Sequence, residues 1–527
     1  MDLRTIERSQ DSLALMERAG EGLLQSLQER VLDCPDSQAG PSSVRQIWIL
    51  SGKGNNGGDG LVLARLLRKQ GLEPRLWLAE SAESMTGDAR IQYDLAVEAG
   101  VGIESEFPPF QDLTDKDVVV DALLGTGLSS APRGLFAEWI EAITRAPARV
   151  VAVDIPSGLG ADDPMPPGSV VRADWTVTMA FAKRSFAFPP ARDWIGQLDI
   201  VDIGIPDEVA VEVGHDALIL SPATAHSILP SAVGRDHKGM WGRLLIAGGA
   251  PGMSGAPILA AQAALRTGIG LLRVATPKSQ TVHVDSHVVE AMTTALPEGE
   301  DGQVLGRGAD LLLSTLGAWD ALAVGPGLGR FPEVDRFVLK LLGGWKGPIV
   351  LDADALNVLA AWGADSWVPR VREIRSADVA GGAVLTPHPG EFSRLTGRPV
   401  AELRRDPISA AREWAGRWGV TLVAKGAPTV IAAPDGRVWV NPTGHAGLAT
   451  GGSGDVLTGI IATLLAQGVD GPGAAVLGCY LHGLAADLWE SAPRSLTPSD
   501  VIERIGKAIA RVEEGKPSPR WKWNDLA

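Results

Sequence analysis

Residues 51–67 read SGKGNNGGDGLVLARLL, with two asparagines, five glycines and an aspartate between apolar flanks. Amide and carboxylate oxygens packed this densely are ligands for a hard cation. Backbone N–H groups freed by glycine, at the positive end of a helix, attract phosphate. Gly52, Gly54 and Gly57 also satisfy G-x-G-x-x-G, with Glu80 following the next apolar run, RLWLA. That pattern is weak alone, because a glycine turn with no ligand satisfies it equally. A second such stretch, GLATGGSGDVLTGIIATLLAQG (447–468), places Gly451, Gly452 and Gly454 before an apolar helical run. There glycine amides can face an anion, and Asp455 falls in the first helical turn. A carboxylate in that turn favours the helix dipole. It is equally placed to deprotonate a hydroxyl that accepts a phosphoryl group.

These residues need elements to hold them. VRQIWIL (44–50) has the continuous apolar, β-branched character of a buried parallel strand. Leu63, Leu66 and Leu67 recur at helical spacing, and Gly71 suits the position after a helix end. The first loop therefore joins the carboxyl end of a strand to a helix. The same grammar returns in DVVVDALLGTG (117–127), RVVAVDIPSG (149–158) and DWTVTMAFAK (174–183). In a doubly wound sheet such strand ends share one crevice, which would gather Asn56, Asp121, Asp154, Ser157 and Lys183. A sparsely periodic stretch, 202–230, marks a boundary near residue 215. Beyond it GRLLIAGGA, ALAVGPGLG, GPIVLDADALNVL, GAVLTPHPGEFSRL and VTLVAKGAPTVI are further strands running into polar loops. His388, between prolines, and Lys425 end two of them. The expected fold is α/β throughout: a Rossmann-like three-layer domain over 1–215 and a second α/β domain over 216–527.

Composition narrows the function. At 527 residues, with 45% hydrophobic and 21% charged, the chain has the size of two globular domains. A net charge of −15 without a basic patch argues against nucleic acid as a partner. Cys34 and Cys479 are the two cysteines, too few for a disulfide framework or a cysteine zinc site, which fits a reducing cytoplasm. The amino-terminal MDLRTIERSQ has no signal-peptide core, and no apolar run is long enough to span a bilayer, so neither membrane nor export is expected.

Taken in order, the motifs resemble a known family along nearly the whole chain. LALMERAG (13–20), GKGNNGGDGLVLAR, DALLGTG, VDIPSG and the strand leading to Lys183 are similar to the NAD(P)H-hydrate epimerase domain. HKGMWGRLLIAGG (237–249), SGAPILAA, GPGLG (325–329), LDADALN (351–357), TPHPGEF and GGSGDVLTG (451–459) resemble the ADP-dependent NAD(P)H-hydrate dehydratases of the ribokinase-like superfamily. Their fusion resembles the bifunctional NAD(P)H-hydrate repair enzymes.

The resemblance implies that Asn55, Asn56, Gly57, Gly58 and Asp59 touch the hydrate. Gly125, Thr126, Gly127, Leu128, Ser129, Ser130 and Ala131 would complete that site together with Asp154. Asn56, Asp121 and Ser157 would hold potassium (K+), and Asp154 and Lys183 would move protons. In the second site Ala256, Gly327, His388 and Asp455 would meet the hydrate, with Asp455 as base. Lys425, Gly426, Ala427, Pro428, Thr429 and Gly454 would hold ADP, accompanied by Mg2+. The implied partners are the hydrates of NADH and NADPH (NADHX and NADPHX) and ADP, and a homo-oligomer is expected. Departures from the family pattern are expected to matter at His445 in GHAGLAT, where an asparagine or a small residue is common, at RSF after Lys183, where glycine is usual, and at the short amino terminus with only Met1 before Asp2. The competing readings are a ribokinase-like small-molecule kinase with a regulatory first domain, and a non-catalytic nucleotide-binding scaffold.

Overall fold

A computed structural model describes residues 11–32, 44–104, 106–128, 130–231, 241–376, 379–380, 382–520 and 523–526. It divides into two units, one comprising residues to His215 with the last few of the chain, the other Asp216–Trp521. In the first, β1 (Gln46–Ser51), β2 (Arg75–Leu78), β3 (Ile103–Glu104), β4 (Asp117–Ala122), β5 (Arg149–Val153), β6 (Trp175–Met179) and β7 (Gln197–Val201) form an all-parallel sheet. Their order across it is β7-β6-β5-β4-β1-β2-β3. The order reverses between β1 and β4, which opens a crevice at the carboxyl ends of those two strands. The sheet has helices on its faces, so its strands bury both sides; Val118, Val119 and Val120 are all fully enclosed. On one face the helix Ser12–Leu27 lies against the helix Asn55–Lys69 so closely that a Cβ at Gly20 would fall 2.2 Å from Val62 Cγ1. On the other, Trp48 and Trp77 pack with ring centroids 4.6 Å apart, the Arg75 guanidinium over both.

One strand departs from the expected division at residue 216. Trp523–Leu526, at the end of the sequence, pairs in parallel with β7 and extends the first unit's sheet. Its backbone pairs with an edge that β7 would otherwise leave open.

The second unit contributes β8 (Leu218–Ile219), β9 (Arg243–Ala247), β10 (Leu271–Pro277), β11 (Met292–Leu296), β12 (Ala321–Val324) and β13 (Ile349–Leu351). A small antiparallel pair, β14 (Arg375–Ser376) and β15 (Val379–Ala380), stands apart. Then come β16 (Ala383–Leu385), β17 (Thr421–Ala424), β18 (Thr429–Ala432) and β19 (Val438–Asn441). The ten-stranded order is β11-β10-β9-β12-β13-β16-β17-β18-β19-β8, parallel except where β18 meets β17 and β19. Lys425–Pro428 is thus the turn of a hairpin. Here the order reverses at β9 and β12, so the crevice opens beyond Ala247 and Val324. The helix Ser453–Ala466 is apolar all round and buries Ile460, Ile461, Leu464 and Leu465, at roughly 1.5–3 kcal/mol each. Gly459 lets it press on the helix Gly255–Thr267, since a Cβ there would lie 2.1 Å from the Ala260 carbonyl oxygen.

Gly325 ends β12 with φ +127°, and a Cβ would sit 1.8 Å from the Asp352 carbonyl oxygen. Gly325→Ala should therefore cost at least about 1–3 kcal/mol in backbone strain alone, read as a lowered melting temperature of the purified protein. A variant that melts with the parent would mean this crossing is loose.

Candidate active sites

The first crevice holds a cavity of about 810 Å³. Asn55, Asn56 and Asp59 line it from the start of the 55–69 helix, and Gly125, Thr126, Gly127, Leu128 and Ser130 from the turn after β4. Asp154 and Lys183 line it from the ends of β5 and β6. Gly57 and Gly58 stand behind the wall: a Cβ on Gly57 would lie 1.8 Å from the Gly52 carbonyl oxygen, and one on Gly58 2.6 Å from Met16 Sδ. They are where the helix must come close, and they do not line the cavity. Ala131 lies beyond its lining, beside Gly168, and Ser129 is outside the described residues.

Asp121 is fully buried at the end of β4. The Ser157 hydroxyl donates to its Oδ1 at 2.6 Å and the Ser157 N–H to its Oδ2 at 2.8 Å. Burial nevertheless pushes this carboxyl up to about 6, with the Ser157 bonds and the Leu123 N–H holding it down. The Leu124 N–H donates to Ser157 Oγ, and Asn56 Nδ2 to the Leu124 carbonyl at 3.1 Å. Asn56, Asp121 and Ser157 are therefore drawn together through Leu124. Asn56 Oδ1 is buried with no hydrogen-bond partner among the described residues.

Asp154 has a positive φ of 59°, rare outside glycine. Its Oδ1 sits 2.6 Å from Lys183 Nζ and accepts from the Thr178 hydroxyl and the Met179 N–H at 3.1 Å. The sequence brought these two side chains to one crevice; their direct ion pair is what the structure adds.

In the second unit a buried pair is the centre. Lys425 Nζ donates to Asp352 Oδ1 at 2.8 Å, and the Thr458 hydroxyl donates to Asp352 Oδ2 at 2.8 Å. Burial works against the Lys425 charge, but Asp352, Glu391 and Asp455 around it hold its pKa above the ordinary lysine value. Lys425 was expected beside the nucleotide alone. It is committed to Asp352, yet a Cβ on Gly454 would lie only 3.1 Å from its Nζ, so it also faces the glycine loop. Asp455 stands in the first turn of its helix, pushed up to about 7 by burial and by Asp352, with Lys425 opposing. Gly327 and Ala256 adjoin across the crevice, where a Cβ on Gly327 would meet that of Ala256 at 3.2 Å. Thr429 closes the hairpin turn by donating from its hydroxyl to the Gly426 carbonyl at 3.3 Å.

His388 caps the helix Pro389–Thr396, its Nδ1 accepting from the Gly390 and Glu391 N–H groups. That leaves the ring proton on Nε2, which faces Glu391 Oε1 at 3.2 Å. Burial, then Lys425 and Arg394, lowers the His388 pKa and favours the neutral ring. With both nitrogens engaged, a ligand meets this half-exposed ring through its face or edge carbons. Glu391, itself buried, is pushed up to about 7. Neither Asp352 nor Glu391 was among the expected site residues, although both lie inside the quoted motifs LDADALN and TPHPGEF. For Asp352 the available signal was an acid at a strand's carboxyl end, the rule already applied in the first half; Glu391 sits in the first turn of the next helix and gave no such signal. His445 does the work of a capping asparagine: its Nδ1 accepts from the Gly447 N–H at 3.0 Å while Nε2 bonds the Ala486 carbonyl.

Two α/β units, each with ionisable groups converging at the carboxyl ends of parallel strands, define a two-site enzyme. Residues 12–185 match the family model described as YjeF-related protein N-terminus, and residues 244–507 that of NAD(P)H-hydrate dehydratase. The chain is 40% identical to the bifunctional NAD(P)H-hydrate repair enzyme of Moorella thermoacetica over 95% of its own length and 93% of the relative's. It is 37% identical to that of Escherichia coli, over 94% and 89%. Among solved structures it is similar to an ADP/ATP-dependent NAD(P)H-hydrate dehydratase from Bacillus subtilis, co-crystallized with ATP/Mg2+. That likeness has 31% identity and a TM-score of 0.48, and covers 57% of this chain and 100% of the other. The chain belongs to the bifunctional NAD(P)H-hydrate repair enzyme family.

Glu391 and Asp455 hold protons more tightly folded than unfolded. Their contribution to stability is therefore full below about pH 4, the unfolded value, and is lost as pH rises through about 7. The unliganded protein should lose melting temperature over that range, and Glu391→Gln should flatten the loss. An unchanged slope in the variant would show that Glu391 is ionised throughout.

Proposed function

We propose that the first unit interconverts the R and S hydrates of NADH and NADPH. The second unit dehydrates the S epimer with ADP, giving NAD(P)H, AMP and phosphate. The observation that carries this reading is the division of acid–base groups: an Asp154–Lys183 pair in an open cavity, and Asp455 at a glycine anion loop beside Lys425.

The hydrate bears a hydroxyl on ring carbon 6, next to the ring nitrogen. In the first site a proton delivered from the Asp154–Lys183 pair lets that hydroxyl leave as water, expelled by the nitrogen lone pair. Water then adds to the opposite face and returns a proton to the pair. In the second site Asp455 takes the hydroxyl proton as the oxygen attacks the β-phosphoryl group of ADP, and AMP departs. The glycine amides and Lys425 face the charge on the moving group. The nitrogen lone pair next breaks the carbon–oxygen bond to release phosphate, and loss of the carbon 5 proton restores the double bond. A fixed helix end selects the phosphoryl group that reaches the hydrate in line, which favours a diphosphate donor.

Asn56, Asp121 and Ser157 suit potassium, a large cation that accepts neutral oxygens, and the orphaned Asn56 Oδ1 is the atom such an ion would satisfy. When bound it would supply positive charge beside Asp121 and fix the turn after β4. Among the described residues no cluster of three His, Cys, Asp or Glu forms a metal cage, so Mg2+ would enter on the nucleotide's phosphates. No described helix is long and apolar enough to cross a membrane, and we place the work in the cytoplasm, where the dinucleotides are used.

Incubating the protein with mixed NADPHX epimers and ADP, and following dihydronicotinamide absorbance, tests the whole reading. Asp455→Asn should slow dehydration by roughly 10²–10⁴-fold while epimerisation persists. Asp154→Asn should spare dehydration, which then stops when one epimer is exhausted. Equal loss of both activities in either variant, or turnover with ATP and none with ADP, would overturn it.

Potassium has its own test. Crystals grown in a rubidium salt should show anomalous scattering beside Asn56 Oδ1, absent in Asn56→Ala; no peak in the parent would remove the ion from the account.

A further inference from the structure

Glu80 and Lys53 have no role in the chemistry above, yet both line the same 810 Å³ cavity as Asp154 and Lys183. Glu80 lies just beyond β2 and Lys53 just beyond β1, their charged groups 2.7 Å apart. Both side chains are partly exposed, so the pair contributes little to the fold. Its position says more. Across the sheet β2 and β5 are separated by β1 and β4, three strand spacings, or about 14 Å. A nicotinamide ring held by Asp154 and Lys183, at the ends of β5 and β6, cannot also reach Glu80. The other half of a dinucleotide can, passing the glycine turn and the amino end of the 55–69 helix, where the pyrophosphate finds free amides. An acid after the second strand of this strand order is placed to meet a ribose, and a neighbouring cation a ribose phosphate.

We propose that Glu80 and Lys53 form the subsite for the adenosine ribose of the hydrate, and that together they set the preference between its NADHX and NADPHX forms. The inference rests on the repair reading above. With NADHX the ribose 2′-hydroxyl donates to Glu80 while Lys53 remains paired. With NADPHX the 2′-phosphate draws Lys53 away from Glu80, whose charge then opposes the phosphate. The pair admits both forms because each gains one favourable partner, and the exposed lysine stem can turn between them.

The test measures epimerisation of NADHX and NADPHX side by side in the full chain. Removing one charge-assisted contact should shift the ratio of the two kcat/KM values by about tenfold, with opposite sign in the two variants. Lys53→Met should disfavour NADPHX, and Glu80→Gln should disfavour NADHX, chiefly through KM because neither group touches the reacting ring. An unchanged melting temperature in each variant shows that the fold survives. Ratios that stay within twofold of the parent, or that move the same way in both variants, would overturn the subsite. A parent that epimerises neither hydrate would overturn the repair reading itself.

Discussion

Both crevices depend on backbone segments crossing within van der Waals contact where the strand order reverses. A Cβ on Gly52 would lie 2.0 Å from the Leu123 carbonyl oxygen, so the turns after β1 and β4 can touch only because that atom is missing. In the second unit the same holds of Gly248 against Pro326 at 2.4 Å, and one strand further along of Gly325 against Asp352 at 1.8 Å. Glycine at such a crossing trades conformational entropy for proximity. The return is a crevice walled by main chain, where amides approach a ligand directly and carboxylates from neighbouring strand ends fall within reach of one another.

That proximity sets the electrostatics. In the first unit the crossing leaves Asp121 enclosed, and hydrogen bonds from Ser157 offset only part of the cost of burying its charge. In the second, Asp352, Glu391 and Asp455 surround the single ammonium of Lys425. Asp352 takes the direct bond and the Thr458 hydroxyl, and so is the carboxylate best satisfied in its charge. Burial pushes Glu391 and Asp455 up to about 7, and the Lys425 charge opposes that rise only in part. A phosphate-bearing ligand adds negative charge to this site and favours protonated carboxyls; a base needs the opposite. Glycine amides and the helix dipole relieve that conflict without bringing another titratable group.

The sheets were legible because parallel strands buried on both faces are continuous apolar runs, and each ends where a polar cluster begins. Asn56, Asp121, Asp154, Ser157 and Lys183 follow from that rule with no knowledge of contacts. The rule does not order the strands, so it could not distinguish glycines that line a cavity from Gly57 and Gly58, which admit a neighbouring element. Nor could it find the Asp352–Lys425 pair, whose members are 73 residues apart and meet through the sheet. The last strand escaped for a different reason: the short run from Trp523 to Leu526 pairs through its backbone, which carries little sequence signal.

Strain marks the same places. Among the described residues three non-glycine positions have positive φ: Asp154 and Ala180 directly follow β5 and β6, and Ala353 lies two residues beyond β13. Such backbone costs about 1–3 kcal/mol per residue and persists only where the surroundings fix it. At Ala353 the use of that strain can be traced. Asp352 before it turns to Lys425 and Thr458, and Asp354 after it accepts from the Gly329 N–H at 2.8 Å and opens the next helix. An ordinary extended or helical residue between them would carry the chain on without that reversal. The buried pair and the GPGLG turn would then not both be held by side chains two residues apart. The positive φ at 353 is what lets one strand end serve the ion pair and the glycine turn at once.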